Sequence, residues 1–346
     1  MEKAEFYSLY GKVPKAELHI HIEAVISRES IKKLYFKTKG KEFTSQEMDS
    51  LFSYSDLNGF ISAFLQVQDL FTEVSDFDLV FDDLKSYLLR NGITHCEAFF
   101  APSAFLKKGF SYKEMTENFQ KNLKKIKDET GITVWLLGDV SRTFGLENAE
   151  KNLELFASNP FEGFIGIGLG GAESKGPAKD FAPVFSKALS MGLHAVAHAG
   201  EDVDSPSIWD AIQLCHSERI GHGITAIQDK KLMDYCAENR IPFEVAPTSN
   251  VFTKKYVKSL EEHPFRKFFD CGMLVTLNTD DPLFFGAELL DEYWNLYTKM
   301  NFTHSELKQV IINSFLASFL PEEQKNHFIE LVENIWNTEI HKIEAK

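Results

Sequence analysis

The stretch Gly163–Asp202, GFIGIGLGGAESKGPAKDFAPVFSKALSMGLHAVAHAGED, holds one full repeat of a fold. It opens on a short apolar run, GFIGIGL (Gly163–Leu169), and passes through FAPVFSKALSMG, whose apolar positions recur at helical spacing. It closes on a second short run, LHAVAH (Leu193–His198). Strand, helix, strand in that order reads as a unit of a parallel sheet.

Similar runs lie on both sides of it. AELHI (Ala16–Ile20), ITHCEAFF (Ile93–Phe100) and TVWLLGDV (Thr133–Val140) precede it, and ERIGH (Glu218–His222), PFEVAP (Pro242–Pro247) and MLVTLN (Met273–Asn278) follow. DKKLMDYCAEN, after Gln228, supplies another helical spacer. Eight such strands predict an α/β fold of the (β/α)8 TIM barrel type. Only the first interval, about 24–91, is oversized. Within it DLNGFISAFLQVQDLF places Phe60, Phe64, Val67 and Phe71 on one helical face, which predicts a buried helix. Loops after barrel strands lie at the active-site face, so the same insert is also expected to act as a helical lid. The stretch from His304 to Ile340 reads as two or three amphipathic helices, one starting at Pro321.

The 346 residues are 44% hydrophobic and 25% charged, an ordinary composition for a soluble globular protein. A net charge of -14 argues against a nucleic-acid partner, which needs clustered Lys and Arg. Cys96, Cys215, Cys236 and Cys271 show no CxxC spacing, so a reducing compartment is expected. No apolar run approaches the ~18 residues of a membrane span, and the charged start lacks the apolar stretch of a signal peptide. The expected location is cytoplasmic, with no membrane partner. Oligomeric state is not readable.

Polar residues gather where the strands end. His19 and His21 lie two apart in an extended run, so both imidazoles face one side. HAGED places His198 at a strand end with Glu201 three residues on, and RIGHG sets His222 between Gly221 and Gly223, which permit close approach or positive φ. LNTDDP closes the last strand on Asp280 and Asp281, adjacent acids that repel unless a cation or proton separates their roles. Each cluster alone could be a core histidine, a cap or a turn. Four of them at four strand ends converge on one face of a barrel. Histidine and carboxylate ligands without cysteine favour a catalytic zinc, with iron, cobalt and manganese sharing that donor set.

PKAELHIH, HAGE, RIGHG, PTSN and NTDDP stand in the order and spacing of the adenosine deaminase family, which the chain resembles from about Pro14 to Gly286. The resemblance implies a single metal-dependent hydrolase domain over 1–346, with the barrel from about 14 and C-terminal helices at about 304–342. It implies one zinc ion per chain on His19, His21, His198 and Asp280, with hydroxide formed there attacking the purine carbon that bears the amine. Glu201 would shuttle a proton to the adjacent ring nitrogen, and His222 would orient or deprotonate the water. Asp281 would accept from the water and meet the purine imidazole edge. Gly171 would offer its backbone N–H to the purine, and Glu23 would lie near the sugar.

The implied reaction is hydrolytic deamination of a 6-aminopurine nucleoside, with adenosine to inosine plus ammonia as the default. Glu23-Ala24-Val25 departs from the usual acid-glycine after HIH, and GLGGAES with EAFFAPSAFLKKG looks more like the branch that includes aminodeoxyfutalosine deaminases of menaquinone biosynthesis. That substrate is the alternative, followed by free adenine and then a non-catalytic nucleoside-binding scaffold. Phe105 stands where a polar residue is common, which bears on contacts at the sugar. His95-Cys96-Glu97 matches the H-x-E of another deaminase class, but no PCxxC follows. A phosphotriesterase-like centre would need a lysine at the fourth strand end, and none occurs before Lys175.

Overall fold

The computed structural model describes residues 1–55, 57–253 and 255–340. Eight strands pair in parallel in chain order: β1 (Lys15–Glu17), β2 (Ile93–Phe100), β3 (Thr133–Asp139), β4 (Phe164–Leu169), β5 (His194–Ala199), β6 (Arg219–His222), β7 (Phe243–Val245) and β8 (Val275–Leu277). With helices around them they form the expected (β/α)8 barrel. Among the described residues, no helix is long and apolar enough to cross a membrane.

β1 and β8 are shorter than their apolar runs because side chains replace ladder bonds at the seam. Asn278 Oδ1 accepts from the N–H of Leu18 and His19 at 2.9 and 3.1 Å. Glu17 Oε1 accepts from the Thr279 N–H at 3.0 Å, and an isolated parallel bridge joins Ile20 to Asp280. The seam between β1 and β8 is therefore closed by amide and carboxylate side chains immediately below the clustered histidines.

Alternation along each strand decides what enters the barrel. Phe99, Leu137 and Val196 pack together inside it. Beside them runs a buried ionic chain: Arg219 pairs with Glu97 through Nη1 and with Glu244 through Nε, the latter at 2.5 Å. The C-terminal stretch plugs the N-terminal mouth, with Phe319 stacked on His194 at 3.7 Å and the Arg219 guanidinium 3.9 Å above the Phe319 ring.

The oversized first interval is helical, with helices Arg28–Lys39, Ser45–Leu51, Leu57–Gln68 and Phe77–Asn91. Val67 and Phe71 are buried at its base, while Phe60 and Phe64 are half-buried against Phe284 at 5.7 and 5.2 Å. Phe284 follows Asp281 by three residues, so the insert packs onto the loop after β8. Position 56 of that motif lies outside the described residues.

At the C-terminus, helices His304–Ala317 and Glu322–Ile335 and a π turn at Trp336–Ile340 match the expected pattern, Pro321 capping the second. Positions 341–342 of the expected span lie outside the described residues. The helix Lys3–Tyr10 carries no strong periodicity and was not expected. It is held by tertiary packing, Phe6 stacking on Tyr10 at 3.9 Å and meeting Trp294 at 5.2 Å.

Candidate metal centre and active site

The strand ends bring the sequence clusters together. Ligand atoms of His19, His198, His222 and Asp280 lie within 4.8 Å of one another, and all four residues are buried. His21 joins from two residues beyond His19, its Nε2 3.3 Å from Asp280 Oδ1. The register explains the convergence: His198 pairs with Gly221 and Ala199 with His222, so these residues sit level. A Cβ at Gly221 would come within 2.8 Å of His19 Cε1, so only glycine lets the histidine approach β6.

Two members hold strained backbone. His222 has φ 61° and Asp280 φ 65°, left-handed values that β-strand neighbours do not share and that cluster at functional sites.

The donor set fits a metal ion. His19 Nδ1 donates to Glu244 Oε2 at 2.8 Å, which fixes its tautomer and turns Nε2, buried and without a partner, toward the centre. His198 Nδ1 is likewise buried and unpartnered. Asp280 accepts from Ser249 Oγ on Oδ2 at 2.7 Å, leaving Oδ1 facing His19 Nε2 at 3.6 Å and His21 Nε2. Burial alone would push Asp280 up, but the facing imidazoles of His19 and His21 outweigh it and hold its carboxyl well below the usual range. An anionic carboxylate among imidazoles is what a divalent cation requires.

Glu201 lies beside this cluster, its Oε2 3.6 Å from His222 Nε2. Burial, reinforced by the charge of Asp280, raises its carboxyl well above the ordinary value, which suits a group that must carry a proton. Burial pushes His222 down to about 3. Asp281 is raised by burial and then by Asp280, so the adjacent acids are driven apart in proton affinity.

Glu23 is 2% exposed; Oε1 accepts from the Ala101 N–H at 3.1 Å and Oε2 has no partner. Burial raises it to about 7, against the pull of His21. Ala24 costs no strain in place of glycine, because Ile22–Val25 is a right-handed 3-10 turn. Gly171 has φ 93°, and a Cβ there would meet Thr143 Oγ1 at 2.4 Å, so glycine is required. Phe105 is fully buried among Phe71, Phe77, Phe100 and Phe110, which places it in the aromatic packing at the base of the helical insert. His95 and Glu97 bond each other at 2.9 Å inside the barrel and belong to its ionic chain.

Several supporting residues escaped sequence reasoning. Glu173 accepts the backbone N–H groups of Gly200, Glu201 and Asp202 at 2.8, 2.8 and 2.9 Å and so shapes the loop that presents Glu201. Arg142 donates through Nη2 to the His198 carbonyl at 2.8 Å. Asn250 meets His222 Nδ1 at 2.9 Å. Asn250 and Ser249 stood in the PTSN motif, and Glu173 in GLGGAES, without roles assigned.

The family described as Adenosine deaminase matches residues 14–335. An adenine deaminase of Crocosphaera subtropica is 36% identical over 92% of this chain and 98% of that protein. An aminodeoxyfutalosine deaminase of Streptomyces avermitilis is 32% identical over 91% of this chain and 89% of that protein. The crystal structure of an adenine deaminase from Arthrobacter aurescens superposes with a TM-score of 0.87 at 27% identity, covering 94% of this chain and 100% of its own.

Proposed function

This chain belongs to the adenosine deaminase family, a hydrolase acting on C–N bonds of amidines, and from that premise we propose that it replaces the 6-amino group of a purine nucleoside with oxygen from water, using one zinc ion per chain. The observation that carries the reading is the buried cluster of His19, His198, His222 and Asp280, with Glu201 3.6 Å from His222. Cysteine-free nitrogen and carboxylate donors suit catalytic zinc, which when bound lowers the pKa of water toward neutrality. His19, His21, His198 and Asp280 would hold it.

The protein's own groups handle the protons. Glu201, protonated because it is buried, passes its proton to the ring nitrogen beside C6 as the water oxygen adds to that carbon; the proton lost by the water is returned to the amine, and the C6–N bond breaks to release ammonia. Asp281 accepts from the water and meets the purine imidazole edge. The Gly171 N–H meets the purine, and Glu23, with its free Oε2, meets the sugar or its substituent. The aromatic insert over the β8 loop would act as the lid that excludes water. Four unpaired cysteines fit a cytoplasmic location.

Adenosine is the default substrate. Aminodeoxyfutalosine is the second reading, favoured by the Gly168–Ser174 and Glu97–Gly109 segments and by the Streptomyces relative; free adenine is third. Zinc analysis with kcat/KM measured in parallel on the three substrates tests the proposal, since discrimination is a ratio of that quantity. Deamination of either nucleoside by the zinc-loaded protein is expected. A large preference for free adenine would refute the nucleoside reading, and zinc binding with no turnover of any of them would indicate a scaffold.

A further inference from the structure

We infer that a buried hydrogen-bond relay, Phe265–His263–Asn250, fixes the direction of the proton on His222 and makes its Nε2 a permanent donor. The argument starts at a group whose polarity is not adjustable. The backbone N–H of Phe265 donates to His263 Nδ1 at 3.0 Å, so that nitrogen must carry a lone pair and the ring proton must sit on Nε2. A doubly protonated His263 would set two hydrogens against each other at this contact. His263 Nε2 lies 3.2 Å from the Asn250 side chain, which must therefore turn its oxygen to it. The amide nitrogen of Asn250 then faces His222 Nδ1 at 2.9 Å and donates to it. With Nδ1 occupied as an acceptor, the neutral His222 carries its proton on Nε2. Asn250, His263 and His222 are 0%, 4% and 1% exposed, so water does not supply an alternative partner at any step.

This direction decides between roles that proximity alone leaves open. His222 falls within the 4.8 Å cluster of possible ligands, yet a metal ligand must present a lone pair, and its only one is spent on Asn250. His21 is thereby left as the third imidazole of the metal set. Nor can His222 Nε2 accept a proton from the attacking water. It donates a hydrogen bond to that oxygen, and the proton that water loses goes to the Asp281 carboxylate. Asn250 and His263 are positioning residues for the proposed reaction. The inference rests on the deaminase reading for its mechanistic meaning, but the relay itself needs neither substrate nor metal to be seen.

The test is histidine 15N NMR on protein labelled at histidine, with His222 assigned by the signals lost in His222→Asn. The metal-free wild type is expected to show His222 as the neutral Nε2–H tautomer. Asn250→Asp presents only acceptors, so it is expected to move the proton of His222 to Nδ1 and to lower kcat about 10–100-fold, the usual scale for a supporting residue, with KM and bound zinc little changed. A wild-type His222 carrying its proton on Nδ1, or an Asn250→Asp tautomer identical to wild type, overturns the relay. Because the wild-type spectrum decides alone, misfolding of the variant does not protect the idea. Failure of every substrate assay would overturn the function without touching the spectrum.

Discussion

Glu244 Oε2 lies 2.8 Å from His19 Nδ1, while its other oxygen is held 2.5 Å from Arg219 Nε. The carboxylate is thus clamped between a buried cation and the ring it orients. Glu244→Gln cannot serve both neighbours, because an amide presents one acceptor and one donor end. Turning the oxygen to His19 sets NH2 against the guanidinium, and the reverse leaves His19 facing a donor. Zinc affinity is expected to fall about 10–100-fold. Competition with a chelator measures it, and an unchanged dissociation constant would remove Glu244 from the support of the metal site.

Glu201→Gln keeps the shape of the side chain and its backbone bond to Glu173 but cannot release a proton to the ring. We expect kcat to drop about 10²–10⁴-fold, the range for general acid catalysis, with zinc content and KM nearly unchanged. Retention of kcat within a factor of a few would assign the proton to another group.

The difference in legibility between Glu201 and Glu244 has a physical origin. His19, His21, His198, Glu201, His222, Asp280 and Asp281 stand at the ends of apolar runs, so period-two alternation and barrel convergence were enough to bring them together. Glu244 sits inside PFEVAP, where an acid among apolar residues looks like an ordinary outward position until the register of β7 and the closure at β1 are known. Asn250 and His263 are thirteen positions apart and join only through tertiary packing. The short β1 and β8 ladders were invisible for a similar reason: Asn278 and Glu17 take over bonds that a sequence pattern assigns to backbone.

Glu173 gathers three consecutive backbone N–H groups, and Ser207 Oγ donates to it as well at 2.6 Å. Glu173→Gln removes one acceptor end and the negative charge that faces the buried Arg142 guanidinium at 3.8 Å. A loss of about 1–3 kcal/mol in unfolding free energy is expected, the scale of a buried group left unsatisfied. Faster amide exchange at Gly200–Asp202, with zinc retained, would locate the damage in the loop presenting Glu201. Uniform exchange across the barrel would show a general packing role instead.

Glu292 tests the cost of burying an acid away from the metal cluster. It is 0% exposed, accepts from the Thr248 N–H at 2.9 Å, and is raised by burial from 4.5 to about 7. Between those two values the folded chain holds a proton that the unfolded chain has released, so this group makes stability fall as pH rises. Its contribution is fully favourable below about pH 4.5 and is lost, by about 3 kcal/mol, once pH passes the folded value near 7. Glu292→Gln keeps an oxygen for Thr248 and stays neutral. The variant should therefore match wild type near pH 4.5 and gain on it progressively up to pH 8, as read by urea unfolding at fixed ionic strength. Glu17 and Glu23, also raised by burial to about 7, tilt both proteins equally, so the difference isolates Glu292. A variant–wild-type gap that is flat across that pH range would mean the carboxylate is ionised in the folded protein and stabilised by Thr248 and Asn295 more strongly than burial opposes it.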